Sequence, residues 1–447
     1  MKKNFLVNVI SLGCPKNLVD SEIILGHLGQ CGYTVTPSAN HADVIIINTC
    51  SFIRAARHES YETITRISDQ LSLNQKLIVC GCLPQLEQQA LFARFPKINA
   101  LIGSADYFRI AEVVGLVLGG RDNLLYVGRP EFIADASWPR LVSTAPGYAY
   151  IKLSEGCSNC CSYCLIPQLR GSYRSRSVDD ILAEAGDLAA MGIKELILIA
   201  QDTSFYGWDQ HDPSRLLELV RKLEQVAGIE WIRMLYAHPG HIRPDLLLHM
   251  GQSHKFLSYL DIPLQHTHDD ILLSMNRPPF ETARKIIDLA RESVPGIVLR
   301  TTILVGFPGE TAHHFKKLLG DVERVAFDWL GVFSYSQEQG TPSFAYAPQV
   351  PEDIKNRRRD LLLNVQQGIT ARSNQKRVGQ VFSVMVDEDA NQINDHAKGH
   401  TWFQAPEIDG IISLTATAKV GELVSCLVTK VGNAFDLIAT QLDEKSN

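Results

Sequence analysis

The sequence lacks two features that would place the protein in a membrane or on nucleic acid. No stretch approaches the run of about twenty apolar residues that a membrane-spanning helix needs, so we expect a cytoplasmic protein with no membrane partner. Basic residues are not in excess, because 43 Lys and Arg stand against 49 Asp and Glu and the net charge is -6. That balance gives no general attraction to nucleic acid and is compatible with a basic partner.

The chain also lacks the evenly spread cysteine pairs of a disulfide framework. Its 10 cysteines fall in clusters, a distribution that favours metal binding in a reducing compartment. With 447 residues, of which 45% are hydrophobic and 21% charged, the composition is that of a globular protein with two or three domains.

Three of the cysteines occupy one short loop. Cys157, Cys161 and Cys164 have the spacing Cys-x3-Cys-x2-Cys and follow the strand-like segment 148–153; we call them the loop cysteine set. Cysteine thiolates hold [4Fe–4S] clusters, and three ligands would leave the fourth iron open to a substrate or cofactor. The alternative pairs Cys157 with Cys160 and Cys161 with Cys164, as in a zinc loop or a reactive dithiol. Structural zinc pairs are normally a dozen or more residues apart, so the spacing favours the cluster.

In the first third of the chain, three apolar strands each run into a cysteine and then into a helix. The cysteines are Cys14, Cys50 and Cys82, and we call them the N-terminal cysteine set. Such β-α alternation predicts a parallel sheet whose strand carboxyl ends share one edge, where ligands bind. Any one of these cysteines alone would fit a small buried core position, but three at equivalent strand ends predict a shared metal site.

From residue 148 to residue 336, six apolar strands alternate with helical segments. This pattern predicts a partial (β/α)6 TIM-like barrel, open at one side, with the site at the strand carboxyl ends. Those ends carry polar groups, among them Gln201, Asp202 and His266. A further strand is followed by Gly306-Phe307-Pro308-Gly309-Glu310, where two glycines would let the backbone approach a ligand closely.

The tail begins with a charged helix that runs to about residue 372. Its Arg357, Arg358 and Arg359 are interpreted as a solvated face, with contact to a partner as the alternative. From Val378 onward, short alternating strands predict a small antiparallel β-barrel. Beyond Lys376 the acidic residues exceed the basic ones, whereas an RNA-binding barrel should be basic. The acidic barrel therefore favours a basic protein partner, with a generic soluble surface as the alternative.

The loop cysteine set, just after the strand 148–153, resembles the cluster motif of the radical S-adenosylmethionine (SAM) enzymes. The resemblance implies that the open iron binds the amino and carboxylate groups of SAM, and that one electron cleaves SAM to a 5′-deoxyadenosyl radical. Cys160 stands where that family rarely has a cysteine, and the family spacing favours Cys161 as the middle ligand. The SAM contacts that the resemblance implies are Gln201, Gly306, Phe307, Pro308, Gly309 and Glu310.

The stretches 11–17, 48–50 and 80–85 resemble the first domain of the methylthiotransferases, a radical SAM subfamily with a second [4Fe–4S] cluster. The resemblance implies that the N-terminal cysteine set holds this second cluster, so that the cofactors are two [4Fe–4S] clusters and SAM. It also implies an α/β protein in three parts. These are a parallel-sheet methylthiotransferase domain (4–120), a radical SAM core (140–372) and a substrate-binding TRAM barrel (375–442).

Three further motifs, at 198–203, 259–266 and 405–410, resemble the methylthiotransferase branch that modifies small-subunit ribosomal protein S-twelve. That branch places a methylthio group on the β-carbon of one aspartate, with SAM as both methyl donor and radical source. The resemblance implies this ribosomal protein as the partner, held by the acidic barrel, together with an electron donor such as flavodoxin and a sulfur source. No direct tRNA substrate is expected; the alternative is the MiaB-like branch, which methylthiolates an adenosine of tRNA.

Overall fold

A computed structural model of the protein describes residues 5–390, 396–415 and 418–442. Residue 4, where the first domain is predicted to begin, and the tail acids Asp395, Asp443 and Glu444 lie outside these ranges. Within them, no helix combines the length and the apolar character that crossing a membrane requires.

The first domain is a parallel sheet covered by helices. Its strands follow the order β2-β1-β3-β4-β5-β6, and every neighbouring pair is parallel. All six residues of β3 are buried because its apolar, mostly β-branched side chains lie between two other strands. The sixth strand lies beyond residue 120, where the sequence predicts the end of the domain. The elements are β1 (Leu6–Ser11), α1 (Pro15–Gln30), β2 (Thr34–Val35), β3 (Val44–Thr49), α2 (Arg54–Gln70), β4 (Lys76–Gly81), α3 (Cys82–Glu87), α4 (Ala90–Arg94), β5 (Ala100–Gly103), α5 (Ile110–Leu118) and β6 (Leu124–Tyr126).

The central domain contains a second six-stranded sheet, with the order β14-β13-β12-β11-β10-β7, again with all pairs parallel. Its elements are β7 (Tyr148–Lys152), β8 (Ser154–Glu155), α6 (Ile166–Arg170), β9 (Arg174–Ser175), α7 (Val178–Ala190), β10 (Glu195–Ile199), α8 (Arg215–Leu223), β11 (Trp231–Met234), α9 (Pro244–Met250), β12 (Phe256–Asp261), α10 (Asp269–Ser274), α11 (Phe280–Ser293), β13 (Val298–Val305), α12 (Ala312–Val325), β14 (Trp329–Ser334) and α13 (Glu352–Arg377). Side chains alternate across each strand, so Leu196 and Leu198 pack with the helices while Ile197 and Ile199 face the other domains.

The C-terminal domain is a closed five-stranded barrel with the order β15-β16-β17-β19-β18. Its strands are β15 (Val381–Glu388), β16 (Ala397–His400), β17 (Ile412–Thr415), β18 (Leu423–Val431) and β19 (Leu437–Gln441). The sequence pattern does not predict β16. The barrel is also not antiparallel throughout, because β17 and β19 pair in parallel. The predicted fold class, an α/β protein with a small C-terminal β-barrel, is confirmed.

The C-terminal barrel closes the amino-terminal end of the central sheet. The guanidinium of Arg233 donates to the carbonyl oxygens of Trp402 at 2.8 Å and Thr401 at 3.1 Å. The indole of Trp329, the first residue of β14, donates to the carbonyl of Phe403 at 2.7 Å. The opposite, carboxyl end of the sheet is therefore the end that remains for the site.

A buried ion cluster fixes this junction and changes the expected role of the barrel acids. His400 contacts the carboxylates of Glu195 at 2.6 Å and Asp387 at 2.7 Å. Asp409 accepts hydrogen bonds from Tyr259 at 2.6 Å and Arg300 at 3.3 Å. Two of the acids expected to attract a basic partner thus direct their charge into the protein. The buried positions of these two carboxylates were not predictable from composition, because composition does not reveal the partner of each carboxylate.

Candidate functional site

The structure brings the N-terminal cysteine set together at one edge of the first sheet. Cys14 precedes α1, Cys50 follows β3, and Cys82 is the first residue of α3. Gly13 before the first of these cysteines has φ 95°, and a Cβ there would lie 2.6 Å from the Cβ of Cys50. A side chain at that position would therefore push the loop carrying Cys50 away.

The thiols of this set influence one another's ionisation. Burial, followed by the neighbouring Cys82 and Cys14, raises the pKa of Cys50 to about 12. Burial also raises the pKa of Cys82, while the Arg170 guanidinium opposes that rise. Such thiols ionise only when a positively charged group binds them. Three convergent sulfur donors, of which Cys50 and Cys82 are buried and Cys14 is half-buried, fit an iron–sulfur cluster.

The loop cysteine set also converges, in the loop between β8 and α6. Burial raises the pKa of Cys157 to about 11, and the neighbouring Cys161 adds to the rise. Burial also raises the pKa of Cys164, and the neighbouring Cys161 is the second cause of that rise. Cys160 is exposed, and its thiol turns away to the carbonyl of Ser158 at 3.7 Å. The donor set therefore fits a second cluster, and Cys161 rather than Cys160 faces the other two thiols.

The two cysteine sets are adjacent in the folded protein. Cys82 packs against Leu165 and Leu169 in one apolar cluster, and Leu165 directly follows Cys164. The hydroxyl of Ser104 also donates to the carbonyl of Leu169. The carboxyl ends of the first sheet and of the central sheet therefore face a common region.

The loop 306–310 lies at the carboxyl end of β13. A hydrogen bond within the loop and an ion pair with α13 hold it in place. The backbone N–H of Gly306 donates to the Glu310 carboxylate at 2.6 Å, and Arg358 pairs with the same carboxylate at 2.8 Å. Burial raises the pKa of Glu310, and Arg358 opposes that rise. One member of the arginine run interpreted as solvated is thus buried against the predicted SAM loop.

The reason for one of the two loop glycines differs from the expectation. A Cβ on Gly306 would lie 2.2 Å from the side chain of Lys355, so this glycine admits helix α13 rather than a ligand. Gly309 has open space around the equivalent position. Phe307 is fully buried and packs edge-on against Tyr335, with ring centroids 5.3 Å apart. Pro308 completes the loop.

Gln201 is half-buried after β10, and its neighbour Asp202 connects the cysteine loop to the central sheet. The Asp202 carboxylate accepts from the side chain of Asn159 at 2.8 Å and contacts His241 at 2.7 Å. Burial acts to raise the pKa of Asp202, but His241, His238 and Ser204 together outweigh burial, and the pKa is lowered. The loop cysteine set is thereby fixed against the carboxyl end of β10.

Sequence reasoning missed a charged network between the first domain and the central sheet. Asp20 in α1 contacts Lys152 at 2.5 Å and Arg170 at 2.6 Å, and Lys152 also contacts Glu155 at 2.9 Å. The one available signal was Lys152 itself, a lysine inside an otherwise apolar strand. Close by, Lys16 is buried, and burial lowers its pKa.

Three family models match consecutive parts of the chain. Residues 6–103 match an uncharacterized protein family designated UPF0004, residues 151–322 match the radical SAM superfamily, and residues 378–442 match the TRAM domain. The matches follow the first, central and C-terminal domains of the structure.

Solved structures support the fold. The radical SAM methyltransferase TsrM from Kitasatospora setae, with cobalamin and a [4Fe-4S] cluster bound, superposes with a TM-score of 0.57 at 16% identity, covering 76% of this chain and 77% of that one. The cobalamin-dependent radical SAM enzyme OxsB, with aqua-cobalamin and SAM bound, gives 0.51 at 14% identity, covering 82% and 56%. At these identities the likeness concerns the fold alone.

Curated relatives are much more similar in sequence. A protein of Trichlorobacter lovleyi is 44% identical over 442 residues, covering 98% of both chains, and one of Acetivibrio thermocellus is 41% identical over 456 residues, covering 100% of both. Both are named ribosomal protein uS12 methylthiotransferase RimO. At such identity over the full length, the chain belongs to the RimO family of radical SAM methylthiotransferases.

Proposed function

We propose that the protein places a methylthio group on the β-carbon of an aspartate in ribosomal protein uS12, with SAM as both methyl donor and radical source. The observation that carries the proposal is the adjacency of two three-cysteine sets in a chain 44% identical to a uS12 methylthiotransferase. One set would hold the cluster at which sulfur is methylated, and the other the cluster that cleaves SAM.

The reaction needs chemistry that side chains do not have. A β-carbon C–H bond has no usable acidity, so general acid–base catalysis cannot break it. When bound, SAM supplies the methyl group and the organic radical, and the two iron–sulfur clusters supply the sulfur and the electron. An external sulfur source replenishes the sulfur, and an electron donor such as flavodoxin replenishes the electron. The protein has to hold these groups and the substrate close together.

The chain's own residues perform that positioning. Asp20 joins α1 to β7 and α6 through Lys152 and Arg170, so the N-terminal cysteine set cannot move far relative to the central sheet. Arg170 also favours the thiolate form of Cys82, which is the form that binds iron. We assign SAM binding to Gln201 and to the loop 306–310, where Gly309 leaves open space.

The C-terminal barrel remains a proposed contact for uS12, but a remote one. It closes the amino-terminal end of the central sheet, whereas the cysteine sets lie at the carboxyl end. Strands of four to eight residues separate these ends by roughly 20 Å. Exposed carboxylates on the barrel include Asp389, Glu422 and Glu388, the last of which pairs with Lys398 at 2.7 Å. A bound substrate would therefore have to extend along the protein to reach both places.

The test compares small-subunit proteins and tRNA nucleosides by mass spectrometry, from cells with and without the gene. The proposal expects the aspartate of uS12 to lose its methylthio group when the gene is deleted, while tRNA nucleosides are unchanged. Variants in which either cysteine set is replaced by alanine should not restore the modification. Loss of a methylthio group from tRNA with uS12 unaltered would show that the tRNA branch is the correct one.

A further inference from the structure

One buried cation near the cysteine sets has no carboxylate partner among the residues that the structure describes. Among the residues that the structure describes, seven lysines and arginines are buried. Six of them have a carboxylate within 4.0 Å: Lys152, Arg170, Arg176, Arg233, Lys355 and Arg358. The seventh, Lys16, forms no such pair. Burying an unpaired ammonium group is strongly unfavourable, so the exception calls for a reason.

Lys16 lies between the two domains, over the carboxyl end of the central sheet. Its Nζ donates to the carbonyl oxygen of Ala200 at 3.4 Å and stands 3.6 Å from the ring centroid of Tyr236. Ala200 directly follows β10, and Tyr236 comes two residues after β11. Cys14 is two residues before Lys16 in sequence. A carbonyl and an aromatic face stabilise a cation only in part, which leaves the ammonium able to bind an anion.

The nearby carboxylates are already engaged with other groups, which leaves the Lys16 ammonium able to pair with an anion from outside the chain. Asp20 and Glu155 share the two cations Lys152 and Arg170. Asp261 pairs with Arg300 at 3.0 Å and accepts the backbone N–H of Tyr236 at 2.9 Å. Each of these carboxylates is held by other groups, and none of them lies within 4.0 Å of the Lys16 ammonium.

We propose that the Lys16 ammonium binds the side-chain carboxylate of the acceptor aspartate and thereby selects for aspartate. The inference rests on the proposed function, which makes an aspartate β-carbon the reacting atom. That carbon is bonded directly to the carboxylate carbon, so an ion pair at Lys16 fixes the reacting carbon between the two cysteine sets. The carboxylate of SAM has the same chemistry and is the other possible source of the anion.

The test measures binding of two forms of uS12 to the cluster-loaded enzyme under anaerobic conditions. One form carries the acceptor aspartate and the other has it replaced by asparagine, and fluorescence anisotropy gives the Kd of each. Wild-type enzyme should bind the aspartate form more tightly, by about tenfold or more, as expected for a hydrogen-bonded ion pair. Lys16→Met should remove this preference, and Lys16→Arg should retain most of it. Because the asparagine exchange is made in the substrate, the wild-type comparison remains decisive even if Lys16→Met fails to fold.

Parallel measurements separate the alternatives. The KM of SAM and the iron content should be the same in Lys16→Met as in wild type. Lys97→Met is the matched control, since Lys97 is an exposed lysine of the same domain that also donates to a carbonyl, that of Ser68 at 2.7 Å; it should leave the aspartate preference intact.

Three results would overturn the inference. Equal binding of both uS12 forms by wild type would show that no cation of the enzyme binds the aspartate carboxylate. A raised KM for SAM with the aspartate preference retained would assign Lys16 to the SAM carboxylate. Altered iron content or cluster absorption, with the preference retained, would mean that Lys16 only balances cluster charge. If wild-type enzyme forms no methylthio product on uS12 at all, the proposed function fails as well, and mass spectrometry distinguishes that case.

Discussion

His400 makes the stability of the junction between the C-terminal barrel and the central sheet depend on pH. Its imidazole is buried between the carboxylates of Glu195 and Asp387. Burial alone would lower the pKa of His400, but the two carboxylates outweigh burial and raise the pKa to about 9. Burial raises the pKa of Asp387, and the His400 imidazolium opposes that rise. The protonated histidine is thus the form that the folded protein prefers.

The sign and size of the effect follow from linkage. The ordinary histidine pKa is about 6.5 and each pKa unit corresponds to about 1.4 kcal/mol, so a folded-state pKa of about 9 gives a contribution of about 3 kcal/mol. Because the folded-state value is the higher one, this stability is fully present below pH 6.5. It is lost as the pH rises from 6.5 through 9.

The measurement compares wild type with His400→Gln in urea unfolding, using cluster-free reduced protein at pH values from 6 to 10. Tryptophan fluorescence reports on the junction, since the ring of Trp231 lies 6.0 Å from that of His400. The difference in unfolding free energy between the two proteins should shrink by about 3 kcal/mol across this range. Taking the difference removes the contribution of groups that titrate equally in both proteins.

A matched control is His58→Gln, which removes an exposed histidine paired with Glu62 on the surface of α2. Exposed pairs contribute little, so this variant should differ from wild type by a small amount at every pH. A wild-type advantage over His400→Gln that stays constant with pH, or grows as the pH rises, would refute the reasoning about His400.

Three further predictions concern the cofactor site. Anaerobic reconstitution should give close to two [4Fe–4S] clusters per chain, and replacing the loop cysteine set by alanine should leave one cluster and abolish SAM cleavage; stoichiometric zinc without charge-transfer absorption would contradict this. Cys160→Ala should keep both clusters, whereas Cys161→Ala should lose one together with SAM cleavage, and the reverse result would reassign the middle ligand. Arg358→Met should leave the buried Glu310 unpaired, lowering stability by about 3 kcal/mol or more and raising the Kd of SAM in equilibrium dialysis, while Arg357→Met, an exposed neighbour, should change neither.

The parts of the protein that follow local rules were predictable from sequence. Strand-to-cysteine-to-helix alternation places Cys14, Cys50 and Cys82 at one sheet edge, because parallel strands end on the same side. Arg358 was misinterpreted because its partner, Glu310, is 48 residues away and no periodicity links the two. Lys16 was missed for the same reason, since its carbonyl partner Ala200 lies 184 residues further along the chain.

The acidic character of the barrel shows the complementary limit. Composition counts carboxylates correctly but cannot say which are solvated. Asp387 and Asp409 contribute to that count, yet His400 and Arg300 hold them inside the junction. A surface argument from charge therefore requires the tertiary structure, because the partner of each carboxylate is set by the packing of one domain on another.

The junction beneath the central sheet also has a consequence for synthesis of the chain. Glu195 and its partner His400 are separated by 205 residues, which at roughly 5–20 residues per second corresponds to about 10 to 40 seconds of translation. The last strand of the central sheet, β14, ends at Ser334, so all six strands are made before the segment that closes their amino-terminal end. The nascent central domain is thus incomplete until the last strands emerge, and a chain released early would expose buried ionic groups to chaperones and proteases.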